Sequence, residues 1–192
     1  MADMTRKGYG QVEPNHLSAQ YTGQIYAQLP AQTYTAASGN DPESIESIAQ
    51  LENGQFLKYN YANERASVDG DGEWCLVYNE EKLYDERRQN HKDFVMLASE
   101  QADKTIYPRL LKTNIGDIFT TNTFRTSGGD TVTGPDAEIT MPELEAGNYL
   151  KIDNAGWLVK SNNKPSGEIV FQVAKVYTLP DGQDAVKIQR IQ

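Results

Sequence analysis

Leu51-Glu-Asn-Gly-Gln-Phe-Leu-Lys58 returns 93 residues later as Leu144-Glu-Ala-Gly-Asn-Tyr-Leu-Lys151. Five of the eight positions are identical, and Phe56 is matched by Tyr149. The echo runs on downstream: Gly72-Glu73 opens the apolar run Trp74–Tyr78, and Gly167-Glu168 opens Ile169–Val173. Each copy reads as a polar turn, a strand, a second turn and a longer buried strand. Short apolar runs of this length, bounded by Asp-Gly, Asn-Gly and Gly-Gly, are the pattern of an antiparallel β-protein.

Working outward from the echo, the strands expected are 55–60, 73–78, 94–97, 107–111, 117–123, 138–140, 148–152, 157–159, 168–177 and 185–191. Two hairpins are readable. Asp153-Asn-Ala-Gly156 joins 150–152 to 157–159, and Leu179-Pro-Asp-Gly-Gln183 joins 173–177 to 185–191 by Pro-Asp-Gly turn chemistry. Their spacing predicts a mainly β fold, an antiparallel barrel or sandwich. Asp41-Pro42-Glu43-Ser44 has the form of a helix start, with Ile45, Ile48 and Ala49 as its apolar face. One short helix is therefore predicted to run to Gln50.

Residues 1–40 differ in texture from the rest. They are rich in Gln, Tyr, Gly and Ala and have no sustained period, yet they carry Tyr9, Leu17, Tyr21, Ile25, Tyr26 and Leu29 as apolar anchors. An extended N-terminal arm laid on another surface fits both facts; an arm packed on its own domain is the alternative. Residues 41–192 form the β-rich domain, with a boundary near Pro135–Pro142 dividing it into echoing halves, 41–135 and 136–192. The same strands equally permit one barrel built from both halves. The charged run Glu80–Asp93 reads as a solvated excursion between strands, with a partner-reading loop as the alternative, and Thr126–Asp136 as a second loop with little side-chain bulk.

The net charge of −9 and scattered lysines (Lys112, Lys151, Lys160, Lys164) disfavour a nucleic-acid partner. No stretch approaches the roughly 20 apolar residues of a membrane span. The start, Met1-Ala-Asp-Met-Thr-Arg-Lys7, lacks the apolar core of a secretory leader. A soluble protein made in a reducing cytosol is expected, with no membrane partner. The single Cys75 rules out an intramolecular disulfide and reads as a small buried hydrophobe.

Chemistry is sparse. His16 and His91 sit in no catalytic motif. Asp69, Asp71 and Glu73 alternate as in a calcium loop, but the third ligand before the glycine and the closing Glu are absent. Asp130, Asp136 and Glu138, like Asp181 and Asp184, read as surface turns, and Ser127-Gly-Gly-Asp130 lacks the lysine and helix of a phosphate loop. Trp74 is expected in the core. Trp157, next to a tight turn, is either a core anchor or an interface residue. No catalytic set, metal site or cofactor is expected.

Lys7-Gly-Tyr-Gly-Gln-Val-Glu-Pro-Asn-His-Leu17, Tyr21-Thr-Gly-Gln-Ile-Tyr-Ala-Gln-Leu-Pro30 and the two Leu-Glu-x-Gly-x-Phe/Tyr-Leu-Lys units resemble the small auxiliary head proteins of tailed bacteriophages, the decoration or cement proteins that accompany a major capsid protein. The resemblance is one of overall style along most of the chain. It implies a β-rich, non-enzymatic virion protein, assembled in the host cytoplasm and placed in many copies on the outside of the capsid. Its partners would be the major capsid protein or other virion proteins, and it would be a homo-oligomer. Tyr9, Leu17, Tyr21, Ile25, Tyr26, Leu29 and Trp157 would make the partner contacts, with the arm bridging neighbouring subunits by strand addition. The alternatives are another virion part (head fibre base, neck or tail component) and a β-module that binds carbohydrate through an exposed Trp157 and acids with a cation.

Overall fold

A computed structural model describes residues 4–19, 25–26, 29–35, 44–60, 62–79 and 95–192. The protein is mainly β with several sheets. Its strands in chain order begin with β1 (Met4–Lys7), β2 (Val12–His16), β3 (Ile25–Tyr26), β4 (Gln32–Thr35), β5 (Ser44–Ser47) and β6 (Gln50–Glu52). Next come β7 (Phe56–Asn60), β8 (Arg65–Ser67), β9 (Trp74–Val77), β10 (Val95–Leu97), β11 (Leu110–Leu111) and β12 (Ile118–Thr121). The last six are β13 (Phe124–Arg125), β14 (Glu138–Met141), β15 (Tyr149–Ile152), β16 (Leu158–Ser161), β17 (Val170–Thr178) and β18 (Asp184–Arg190).

Two sheets dominate. One has five strands in the order β3-β11-β9-β7-β8, and the other seven in the order β13-β16-β15-β17-β18-β12-β2. The orders contain the same unit. In the first, β7 pairs with β8 by a hairpin and with β9 on its other side, and β11 then β3 follow outward. In the second, β15 holds the place of β7, β16 of β8, β17 of β9, β18 of β11 and β12 of β3. Even the outer neighbours agree, since Ala31 bridges Ala66 of β8 in parallel and β13 pairs with β16 in parallel. The sequence echo is thus an echo of strand pairing. Lys58 lies opposite Trp74, and Lys151 lies opposite Val170, so the second copy is one residue longer between its Gly-Glu turn and the paired strand.

Each copy is capped by a two-stranded ribbon from the strand just before it. β6 pairs with β10, and β14 pairs with β1. One core, including Leu57, Cys75, Val77 and Leu110, lies on the β6–β10 side of the five-stranded sheet. The opposite face of that sheet carries Phe56, Leu76 and Leu111. These join Phe119, Leu150, Phe171, Val173 and Ile188 of the seven-stranded sheet in a second, larger core. Phe171 is the hub, with its ring centroid 5.6 Å from both Phe56 and Phe119, close enough for tilted and edge-on ring contacts.

Two expectations are corrected. Of the barrel and the sandwich expected, the barrel is not seen, because neither sheet closes on itself among the described residues. The two-residue strands β3, β11 and β13 are too short to carry a hydrogen-bond ladder round a closed wall. The short helix predicted from Asp41 is also absent. Its start, 41–43, lies outside the described residues, but Ser44–Ser47 is a strand in antiparallel register with Gln32–Thr35. All four residues of β5 are exposed, so Ile45 never obtains the buried helical face that would offset its weak helix propensity, and the ladder with β4 prevails. The described residues hold no α-helix longer than two residues, and one 3-10 turn at Ala98–Glu100.

Residues 4–19 are laid on the body of this same chain. β1 completes the cap with β14, β2 forms the outer strand beside β12, and Met4, Tyr9, Leu17 and Ala19 enter the larger core. Of the anchors that suggested an arm, Tyr9 and Leu17 are buried in this chain's own larger core and Leu29 packs against the smaller one, where burial costs no second-body entropy. Nor do the sheets divide where the echo does, because β2, β12 and β13 all precede residue 136 yet belong to the seven-stranded sheet.

A buried ion pair pins β1. Arg6 and Glu52 are both 0% exposed, and Arg6 Nη2 donates to Glu52 Oε2 at 2.8 Å. The same oxygen accepts the Gly10 amide at 2.8 Å, and Oε1 accepts the Gln50 side chain at 3.1 Å. Removing one member of such a pair strands the other charge in the interior. Glu52→Gln is expected to cost about 3–5 kcal/mol in urea denaturation, and the double variant Arg6→Met with Glu52→Leu to recover most of that loss. Equal losses in single and double variants would mean that packing, not charge, holds β1.

Candidate functional site

The two Gly-Glu turns of the echo meet across one cleft. Lys58, Gly72, Glu73 and Trp74 line it from the first copy, and Gly167, Glu168 and Ile169 from the second, with Ile152 and Asn154 beside them. Its volume is about 400 Å³. β7 and β9 present Lys58 and Trp74 side by side because these residues are direct cross-strand partners. Lys58 Nζ stands 4.8 Å from the centre of the half-buried Trp74 ring, within cation–π range.

Glu73 is the most tightly held acid of the cleft. Its Oε2 lies 2.9 Å from Lys112 Nζ, and its Oε1 accepts from Arg190 Nη1 and Nη2 at 3.1 Å each. Arg190 also donates to the Thr113 carbonyl, which ties β18 to the five-stranded sheet. Burial pushes the Glu73 carboxyl up, but the hydrogen bonds and charges of Lys112 and Arg190 outweigh it and hold the group below its ordinary 4.5. Glu168 is exposed and 3.9 Å from Lys151, the echo partner of Lys58.

Trp157 belongs to a different assembly. It is 3% exposed, and the guanidiniums of Arg125 and Arg6 lie over its ring at 4.7 and 5.7 Å. Asp153 Oδ1 accepts the Trp157 amide at 2.9 Å, and Asp153 Oδ2 lies 3.4 Å from Arg125 Nη2. The turn ends at Gly156 (φ +80°), where a Cβ would meet the Phe56 carbonyl oxygen at 2.1 Å, so only glycine lets this turn seat against β7. The ring therefore joins the second hairpin to β1, as a core anchor rather than an interface residue, and a carbohydrate reading that needs an exposed Trp157 has no ring to use.

The other residues assigned to partner contacts scatter. Tyr9 and Leu17 are buried in the larger core, and Leu29 packs against the smaller one. Ile25 and Tyr26 pair by backbone with Leu111 and Leu110. Tyr21, like His91 and the charged run from Glu80, lies outside the described residues. Asp69 and Asp71 share a small recess with Arg65, and no group of three metal-ligating side chains assembles among the described residues. Cys75 is buried, and burial together with the Glu73 charge pushes its thiol up to about 12. Sequence reasoning named Glu73 and Trp74 singly but missed the cleft. The signal for the cleft in the sequence is the echo itself, which repeats a Gly-Glu turn in each copy.

Comparison with protein-family models, with curated proteins and with solved structures found no match.

Two outcomes follow from this geometry. A carboxyl whose folded pKa is lowered contributes stability above its unfolded value and loses it as pH falls through the folded one. Glu73→Gln is thus expected to cost about 1 kcal/mol at neutral pH. That gap closes as the pH drops below 4.5, the ordinary value of the group; urea curves across the acid range would reveal a pH-independent gap if the ion pairs contribute nothing. Cys75 is expected to resist a thiol reagent in the native protein and to react on unfolding, so rapid native labelling would contradict its burial.

Proposed function

We propose that this chain is a non-enzymatic structural protein that binds the outside of a phage capsid shell in many copies, through the open face of its seven-stranded sheet. Two stacked sheets of this kind make a β-sandwich, and among the described residues no further sheet lies over the outer side of the seven-stranded one. Tyr149, Gln172, Gln189, Ile118 and His16 stand in register across five strands on that side, half-buried or exposed.

The observation that carries the reading is what happens to the equivalent face in the first copy. There Phe56, Leu76 and Leu111 hold the places of Tyr149, Gln172 and Gln189, and another β-layer covers them. The second copy presents the same flat geometry in polar form. It has an aromatic ring, two amides and no charged carboxylate in the row, which suits a contact made and exchanged in water. Many copies on a regular lattice stabilise the assembled shell by mass action even where each contact is weak. The partners in this reading are the major capsid protein or neighbouring virion proteins, and residues 4–19 stiffen the subunit that meets them.

The test is quantitative mass spectrometry of purified particles made with the parent chain and with a Gln172→Glu, Gln189→Glu variant. The reading expects the parent at a copy number comparable to the major shell subunit. It expects the variant to fall off the particle while its melting temperature stays within a few degrees of the parent. A handful of copies would indicate a neck, fibre or tail part. Absence of the parent, or undiminished occupancy by the variant, would overturn the proposal.

A further inference from the structure

The cleft between the two Gly-Glu turns has the makings of a ligand site that is independent of shell binding. Its volume of about 400 Å³ falls within the roughly 300–1,000 Å³ of small-molecule sites. Trp74, Ile152 and Ile169 supply apolar surface, and Lys58, Asn154 and Glu168 supply polar groups around it. All of these are half-buried or exposed, so a solute reaches them without unfolding.

The charges decide what kind of solute. Glu73 is engaged from behind by Lys112 and Arg190, two cations that are not among the residues lining the cleft. That leaves one ammonium, Lys58, and one carboxylate, Glu168, facing the same space. Glu168 is only loosely met by Lys151 at 3.9 Å, and among the described residues Lys58 is paired with the Trp74 ring rather than with an acid. An anion would gain from Lys58 and be opposed by Glu168, and a cation the reverse. A neutral molecule with many hydroxyls satisfies both, since a hydroxyl donates to a carboxylate and accepts from an ammonium. The Trp74 ring adds a flat apolar surface for the C–H face of such a molecule.

From this we infer that the cleft binds a neutral sugar ring, with Trp74 as the stacking platform, Lys58 and Asn154 as donors and Glu168 as acceptor. Lys58 leaves the ring face as the sugar arrives and turns to its hydroxyls. The two copies of the echo then have a joint role, because neither Gly-Glu turn alone encloses the cleft. A chain that decorates a shell would by this means also carry a glycan-binding surface.

The experiment titrates the full-length chain with glucose, galactose, mannose and N-acetylglucosamine. The readout is the two tryptophan indole N–H signals and the Asn154 amide in two-dimensional NMR, with acetate and methylammonium as charged controls. At least one sugar is expected to shift Trp74 and Asn154 saturably while Trp157 stays in place. Asn154→Ala and Glu168→Ala, both at exposed positions, are each expected to weaken binding about tenfold, the size of one lost charge-assisted or amide hydrogen bond, with no change in melting temperature. No saturable shift with any of the four sugars would overturn the assignment. So would shifts that survive both substitutions, or a response confined to acetate or methylammonium.

Discussion

The five-stranded sheet has to be apolar on both faces, and most of the architecture follows from that constraint. Leu57, Cys75, Val77 and Leu110 face one core, and Phe56, Leu76 and Leu111 face the other. A sheet buried on both sides reads as continuous apolar runs rather than as alternation, which is why Trp74-Cys-Leu-Val77 has no polar interruption. Each face needs a cover. The β6–β10 ribbon provides one, and the seven-stranded sheet provides the other. The second sheet then repeats the unit with an apolar inner face and a mixed outer one, where Val159 and Val170 share the side of Tyr149, Lys151 and Gln172.

Polar chemistry in this molecule is concentrated where separate chain segments must be tied together. Arg6–Glu52 binds the first strand to the first cap, Arg125–Asp153 with Trp157 fixes the second hairpin, and Arg190–Glu73 joins the two sheets. Each tie links residues distant in sequence, and each is shielded enough to matter more than a surface pair. Proper registration of the two copies is therefore an electrostatic matter as well as an apolar one. The cleft is a consequence of that registration, since Arg190 holds Glu73 at its wall while the copies bring their turns together.

The edges of the sheets show how such a slab avoids unwanted pairing. β2, at one edge of the seven-stranded sheet, carries Pro14, which has no amide to offer a further strand. β13, at the other edge, is two buried residues long. The proposed shell contact therefore uses the broad face of this sheet, whereas the first forty residues suggested strand addition at an edge.

The sequence by itself determined the β class, the two hairpins at 153–156 and 179–183, the core placement of Cys75 and the existence of a repeated unit. All of these depend on local turn chemistry and apolar runs, which are written in consecutive residues. It did not determine strands such as β1, β2 and β5, whose residues are polar or mixed and become strands only because β14, β12 and β4 offer them ladders. The helix expected after Asp41 failed for the same reason, as local propensity yielded to a tertiary partner. Only the folded structure decided that Tyr9, Leu17 and Trp157 face inward. A lone tyrosine or tryptophan next to a glycine turn has no periodicity to report its direction, and Trp157 is buried by two arginines that lie 151 and 32 residues away in the chain. The cleft is likewise tertiary, since its two walls are some 95 residues apart and meet only when the second sheet closes over the first.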